Sequence, residues 1–259
     1  MVLAAHLWST DTHGLFVVNH VNGGMVLARG GLATAYGPIL AEREVTAAPG
    51  KPLPQRLGNV SVRVTDARGV AQLARLLYTG AGWSDVTFVV PANSAVGPAR
   101  VAVVRSDGSS FTAPVIVADV APGFLTVSAD ARGAVSGEVA QRWVDSGETK
   151  RFATSECGSG VCRTVPIPLS GGVITTVRLA GSGIRNAGAH AGTNAAIRVT
   201  VGGIAVPVLS FGAADAYDVG RDQVTIQLPL ELRGTGETDL MMTVNSVLSN
   251  VVRLNCGVL

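Results

Sequence analysis

Apolar and polar residues alternate along most of this chain, in short runs broken by turn-forming residues. The first half carries NVSVRV (59–64), ARLLY (74–78), DVTFVV (85–90), ARVAVV (99–104) and TAPVIVADV (112–120), divided by TDARG, TGAGWS, PANSAVG and RSDGSS. The second half carries VITTVRLAG (173–181), AAIRVTV (195–201), IAVPVLSF (204–211), DQVTIQL (222–228), TDLMMTV (238–244) and LSNVVRL (248–254). A period of two puts successive side chains on opposite faces of a strand. Glycine in the dividers supplies positive φ, while Asp, Asn and Ser hydrogen-bond their own backbone. Short strands without amphipathic helices between them predict antiparallel sheets packed as a sandwich. Two stretches with some helical character, GVAQLARLL from Gly69 and LELRGTG after Pro229, are short and read as strand or turn.

The pattern also repeats. Val86, Thr87, Phe88, Val90 and Pro91 recur as Val224, Thr225, Ile226, Leu228 and Pro229 at an offset of 138 residues, and Gly97, Val101 and Val103 as Gly236, Leu240 and Met242 at 139. An isolated β-pattern matches by chance easily, but matched residues with a proline and a glycine in register predict a duplicated structural unit. Between the copies, residues 121–162 hold turn signals and short β-runs only. A segment of that length predicts hairpins that pack on one or both units rather than a free loop.

Composition narrows the function classes. At 259 residues the chain suffices for two modest cores, and 47% apolar against 15% charged residues is globular rather than disordered. The net charge is only +2 and the basic residues are dispersed, so a nucleic-acid partner is not expected. No apolar run approaches the length of a membrane-spanning helix. The first residues lack a basic n-region and a small-residue cleavage site, which leaves open a leader removed upstream.

Several motifs together carry a family likeness: PLP…LG (Pro52 to Gly58), VPA…GPA (Val90 to Ala99), APGF (Ala121 to Phe124), VPIPL (Val165 to Leu169), GSGIRN (Gly181 to Asn186), VGG (Val201 to Gly203) and DQV…LP (Asp222 to Pro229). In these the chain resembles the Solibacter-type C-terminal domain family from about Val21 to Cys256. The resemblance implies an all-β fold of two tandem immunoglobulin-like sandwiches related to the IPT/TIG group. It also implies export from the cytoplasm to the cell envelope or exterior of a bacterium, and no assigned catalytic residues. The expected organisation is an N-terminal segment 1–20 that reads as truncated, a first sandwich 21–120, a connector 121–162 and a second sandwich 163–259. Where the family tends to have SPGQVNF, this chain has GAGWSDVTF, with two extra residues and Trp83 in the turn. A tryptophan at a strand entrance ordinarily packs, although this one is also a candidate contact residue.

Cys157 and Cys162, in CGSGVC, are close enough to pair across a tight turn, and an exported β-protein is where such a bridge persists. A disulfide is favoured over a metal site, which has no further ligands nearby, and over a redox pair, which usually has two intervening residues. Cys256 is then left over and is expected to be a buried thiol.

His6, His13 and His20 lie seven apart and, with Asp11, are minority candidates for a metal cluster. An odd step on a strand turns successive side chains to opposite faces, which argues against a shared ion. AGSGI at Ala180 lacks the first glycine and the following helix of a nucleophile elbow. The carboxylates Glu42, Glu44, Asp145, Glu148, Glu231 and Glu237 read as solvated turn residues, and Asp66, Asp107, Asp215 and Asp218 show no calcium-loop register.

These readings converge on a non-catalytic exported interaction or spacer module, with no cofactor expected and with a protein or polysaccharide at the cell surface as partner. The contact candidates are Trp83, Tyr217 and Asp218, in the loops 79–84 and 212–220 that precede equivalent strands, and Asp85 directly after the first of them. A carbohydrate-binding module is the alternative, followed by a hydrolase of unrecognised type. Glycan binding calls for exposed aromatics on one face, and aromatics are only 5% of the chain.

Overall fold

A computed structural model describes residues 14–81, 83–128, 130–188, 197–214 and 220–257, with the side chain of Trp83 left out. The chain is an all-β sandwich protein, and among the described residues the exception is one 3-10 turn at Leu230–Leu232 directly after Pro229. Gly69 to Leu77, the other stretch with helical character, runs into the strands Ala71–Leu73 and Arg75–Thr79.

The first sandwich faces one sheet against another. One sheet has the order β1 (Phe16–Asn19), β3 (Leu32–Pro38), β8 (Trp83–Val89), β7 (Arg75–Thr79), β4 (Val45–Thr46). The other runs β2 (Val26–Ala28), β10 (Ser110–Ala118), β9 (Gly97–Arg105), β5 (Val60–Thr65), β6 (Ala71–Leu73). The chain start serves both, since β1 pairs antiparallel with β3 and β2 parallel with β10. Alternation along β5, β8 and β9 delivers Val62, Val64, Val86, Phe88, Val101 and Val103 to a common buried core.

The second sandwich contains β13 (Thr149–Ala153), β12 (Gly137–Trp143), β16 (Val173–Ser182), β20 (Asp222–Gln227) and β19 (Val208–Ala213) in that order, with β11 (Gly123–Phe124) also on β16. Against it lie β18 (Ile204–Val206), β17 (Ile197–Val201), β21 (Glu237–Val244), β22 (Val247–Leu248) and β23 (Val252–Asn255). A separate hairpin joins β14 (Ser155–Gly158) to β15 (Val161–Thr164). The segment 121–162 is therefore not free of the second sandwich: β12 sits between β13 and β16, and Val135 and Val139 lie in its core.

Strand pairing explains the sequence repeat. The series β3–β8–β7 and β6–β5–β9–β10 of the first sandwich recurs as β16–β20–β19 and β18–β17–β21–β23 in the second, in the same chain order, which is the immunoglobulin-type strand plan. Matched apolar residues are core residues in both: Val86 and Phe88 on β8, Val224 and Ile226 on β20, Val101 and Val103 on β9, Leu240 and Met242 on β21. The matched glycines have a backbone reason, because Gly97 (φ 122°) and Gly236 (φ 71°) both occupy the positive-φ region at the approach to a strand.

Buried hydrogen bonds fasten the sandwiches together. Asn19 Nδ2 donates to the Ala121 carbonyl (2.9 Å), Asn186 Nδ2 to the Arg29 carbonyl (2.7 Å), and the Leu32 N–H to Ser182 Oγ (2.9 Å), whose own hydroxyl donates to the Gly220 carbonyl (2.6 Å). Buried Asp222 braces the same region, accepting from the Ile184 N–H (2.7 Å) and from Arg185 Nε (2.5 Å). Apart from the Arg185–Asp222 pair, these bonds give partners to backbone groups at the boundary that burial would otherwise leave under-satisfied.

Candidate functional site

The outward face of the β1–β3–β8–β7–β4 sheet is built by the same alternation that builds the core. With Val17, Ala35 and Val86 inward, the intervening positions point away, and the register aligns them in rows. Phe16 lies opposite Tyr36, and Tyr36 opposite Asp85. One step along, Val18 lies opposite Thr34, Thr34 opposite Thr87, and Thr87 opposite Tyr78, which an irregularity between Leu76 and Tyr78 turns outward. A third row pairs Leu32 with Val89.

The rows differ in exposure. Gly220 of the second sandwich packs on Leu32 and Val89, both buried, and Thr34 and Thr87 are buried too. The far row stays open: Phe16 is 52% and Tyr36 41% exposed, beside half-buried Asp85. Tyr78 belongs to the same patch, because a Cβ placed on Gly80 would collide with Asp85 Oδ1 and stand 3.3 Å from the Tyr78 hydroxyl. Glycine at 80 is what lets the carboxylate and the phenol share that space. In the neighbouring row His20 Nδ1 meets Thr34 Oγ1 at 2.8 Å, and Thr34 Oγ1 meets Thr87 Oγ1 at 3.1 Å.

The electrostatics follow from partial burial. Loss of solvent raises the Asp85 carboxyl above its usual range, with the charge of Glu44 adding to that and His20 opposing it. Burial and then the Asp85 charge raise the Tyr36 phenol, and burial and then Glu44 raise that of Tyr78. His20 is lowered by burial first and by Arg221 second, with Asp85 pulling the other way. The patch thus offers neutral tyrosine hydroxyls next to carboxylate oxygens and an exposed phenyl ring: donors, acceptors and flat apolar surface at one place.

Of the contact candidates, Asp85 is the one the structure places in this patch. Trp83 opens β8 with its backbone opposite Pro38, and its side chain is outside the described residues, as are Tyr217 and Asp218. One described glycine from each of the two loops does reach the same sheet, since Gly80 lies against Asp85 and Gly220 against Val89. Of the metal candidates, His6, Asp11 and His13 lie outside the described residues, and His20 has one ring nitrogen on Thr34. Among the described residues no group of three or more His, Cys, Asp or Glu could hold a metal ion.

Cys157 and Cys162 form a disulfide across the β14–β15 hairpin, in direct register. Ser159 (φ 49°) and Gly160 (φ 78°) make the two-residue turn, the handedness that suits a tight hairpin. Cys256 is a buried free thiol whose pKa burial pushes up to about 11. Sequence reasoning did not single out Phe16, Tyr36 and Tyr78, which join Asp85 on this face. Tyr36 stands in LATAYGP with polar Thr34 two before it, a weak outward signal, whereas Tyr78 is hidden in the apolar run ARLLY.

No family model matches the chain, and no curated protein matches it. Among solved structures it is similar to SGBP-B of the Bacteroides ovatus mixed-linkage glucan utilization locus, solved in complex with a mixed-linkage heptasaccharide. The TM-score is 0.33 at 13% identity, over 89% of this chain and 43% of that one. The chain thus spans less than half the length of that protein.

Proposed function

We propose that this protein is a non-catalytic binding module of an exported bacterial protein, and that it holds a polysaccharide on the outward face formed by Phe16, Tyr36, Tyr78 and Asp85. The observation that carries this reading is the gathering of a sparse aromatic complement. The two tyrosines among the described residues lie on one sheet face, beside an exposed phenylalanine and with a carboxylate between them. Exposed aromatic rings offer a flat apolar surface to the C–H faces of sugar rings, and the Tyr and Asp oxygens exchange hydrogen bonds with sugar hydroxyls. The strands beneath are fixed by the core, so little conformational entropy is lost on binding. Export is supported by the disulfide at Cys157–Cys162 and by the resemblance to the Solibacter-type family.

The test is affinity electrophoresis against a panel of plant and bacterial polysaccharides. At least one should retard the protein, and Tyr36→Ala should weaken that interaction about tenfold, near 1.4 kcal/mol. Retardation unaffected by Tyr36→Ala and Phe16→Ala would overturn the assignment of the face, and hydrolysis of any retarding glycan would overturn the non-catalytic reading.

A spacer role is the second reading, and the buried bonds of Asn19, Ser182 and Asn186 across the sandwich boundary favour it. A module that only spaces its neighbours needs that rigidity and no ligand. Absence of retardation by every glycan of the panel would select it.

A further inference from the structure

The open row of the outward face is longer than its aromatic end. From Phe16 the register passes to Tyr36 and then Asp85, and Asp85 faces Gly80, whose N–H donates to the Asp85 carbonyl (2.8 Å). Val45 lies opposite Thr79, so exposed Glu44, one residue before Val45, closes the row beside Gly80. We propose that Glu44 is a specificity-determining residue of this face, which together with Asp85 turns away glycan chains bearing carboxylate or sulfate groups and admits uncharged ones. This inference rests on the glycan-binding reading of the face.

Two strand spacings, about 10 Å, part the backbones of Asp85 and Glu44, and glycine leaves the position between them without a side chain. Asp85 leans into that gap, since a Cβ on Gly80 would collide with its Oδ1. Tyr78 comes in from the next row: it lies opposite Thr46, on the outward side with Glu44, and its hydroxyl borders the same gap. Burial, and then the charge and hydrogen bond of Glu44, hold the Tyr78 phenol above its ordinary pKa. Along one row, then, the aromatic rings are followed by two carboxylates that converge on one phenol.

A chain laid across the strands passes over both carboxylates. Its hydroxyls can donate to their oxygens, whereas an ionised carboxylate or sulfate brought there has no proton to share and meets like charge. Repulsion of this kind decides between ligands that the aromatic rings alone would hold equally well. The cations of the same face lie in other rows: Arg75 is opposite Val89, on which Gly220 packs, and His20 is bonded to Thr34. Among the described residues neither Asp85 nor Glu44 is in a salt bridge, while nearby Glu42 takes Arg105 at 3.7 Å.

The experiment takes each polysaccharide of the panel that retards the protein and compares it with two lightly substituted derivatives, one carboxymethylated and one hydroxyethylated to the same degree. Affinity electrophoresis is run in mildly alkaline buffer, where exposed carboxylates are charged. The hydroxyethyl derivative should retard the protein nearly as well as the parent, and the carboxymethyl derivative about tenfold less. That gap should shrink in about 1 M salt, where the screening length is about 3 Å. Glu44→Gln should narrow it about threefold and leave retardation by the uncharged parent within about twofold, and Glu44→Lys should narrow it further. Tyr36→Ala should weaken retardation by all three, which ties the effect to this face. Equal retardation by the two derivatives, strong or weak, or a gap that Glu44→Gln and Glu44→Lys leave unchanged, would overturn the inference while glycan binding stands. Retardation by acidic polysaccharides alone would do the same. No retardation by any polysaccharide would overturn the glycan-binding reading itself, and the inference with it.

Discussion

The corresponding outward faces of the two sandwiches differ far more than the cores beneath them. On β3 and β8 the facing pairs are Tyr36 with Asp85, Thr34 with Thr87, and Leu32 with Val89; on β16 and β20 the same rows hold Ala180 with Gln223, Arg178 with Thr225, and Thr176 with Gln227. Arg151 and Glu138 extend the second face with an exposed ion pair at 2.7 Å, and the rows carry no aromatic side chain. The inward rows behave otherwise. Ala33 with Phe88 in the first core becomes Val177 with Ile226 in the second, a small and large pair exchanged for two of middling size. Cores tolerate hydrophobic exchange when volume and pattern are kept, whereas an outward position answers only to solvent and to whatever binds there. The difference teaches that a common scaffold leaves chemistry to the faces, and that the first face is the one that gathers aromatic rings around a carboxylate.

The largest test of this comparison lies in the cores. Phe88→Ala should lower the unfolding free energy by about 3–5 kcal/mol and Ile226→Ala by about 2–5 kcal/mol, read from denaturant midpoints. With the boundary bonds intact, both should lower a single transition; two separated transitions would show that the sandwiches unfold independently. Next in size, replacing Cys157 and Cys162 by serine should cost about 2 kcal/mol at most, because the bridge closes only a short loop. Ser182→Ala removes the acceptor of the buried Leu32 N–H and a donor to Gly220, and should cost about 1–3 kcal/mol. Separation of the two transitions in that variant would identify the boundary bonds as the coupling.

Smaller still is the effect that bears on function. Tyr36→Ala combined with Asp85→Gln converts that row into the Ala180 and Gln223 row of the second sandwich. It should abolish glycan retardation while thermal unfolding moves by only a few degrees, and Arg178→Ala should change neither. Loss of binding in Arg178→Ala instead would transfer the site to the second face.

Acid separates carboxylates by role. Asp66 accepts from the backbone N–H groups of Ala95, Val70 and Arg68, and Asp130 from those of Gly133 and Arg132, and these bonds hold both near a pKa of about 2. A depressed folded value means stability that is present above the ordinary carboxylate range and lost as pH falls towards about 2. Asp66→Ala should therefore flatten the acid limb of the stability profile measured by urea unfolding. Asp85 has the opposite sign: its raised pKa favours the protonated folded form, so its contribution is fullest below the ordinary carboxylate range and lost as pH rises through its folded value. Asp85→Asn should raise stability at neutral pH, with the gain vanishing in acid; a loss at neutral pH would refute the burial argument.

Much of the scaffold was legible in the chain. Period-two patterning placed β5, β8, β9, β20 and β21, and the repeat identified which strands correspond, because buried faces must be apolar wherever a sandwich closes. The hairpin at Cys157–Cys162 was equally readable, since a two-residue turn and its bridge are local. Asp85 was reachable by its position after the unusual loop. What the sequence could not disclose was the company Asp85 keeps. Phe16, Tyr36 and Tyr78 come from three other strands, and strand register, not spacing along the chain, brings them to one face. Likewise the bonds of Asn19, Ser182 and Asn186 across the sandwich boundary join residues 102, 150 and 157 positions apart. Alternation is a local property and is written in the sequence; proximity between outward residues depends on long-range pairing and on how two sandwiches pack, so only the tertiary structure decides it.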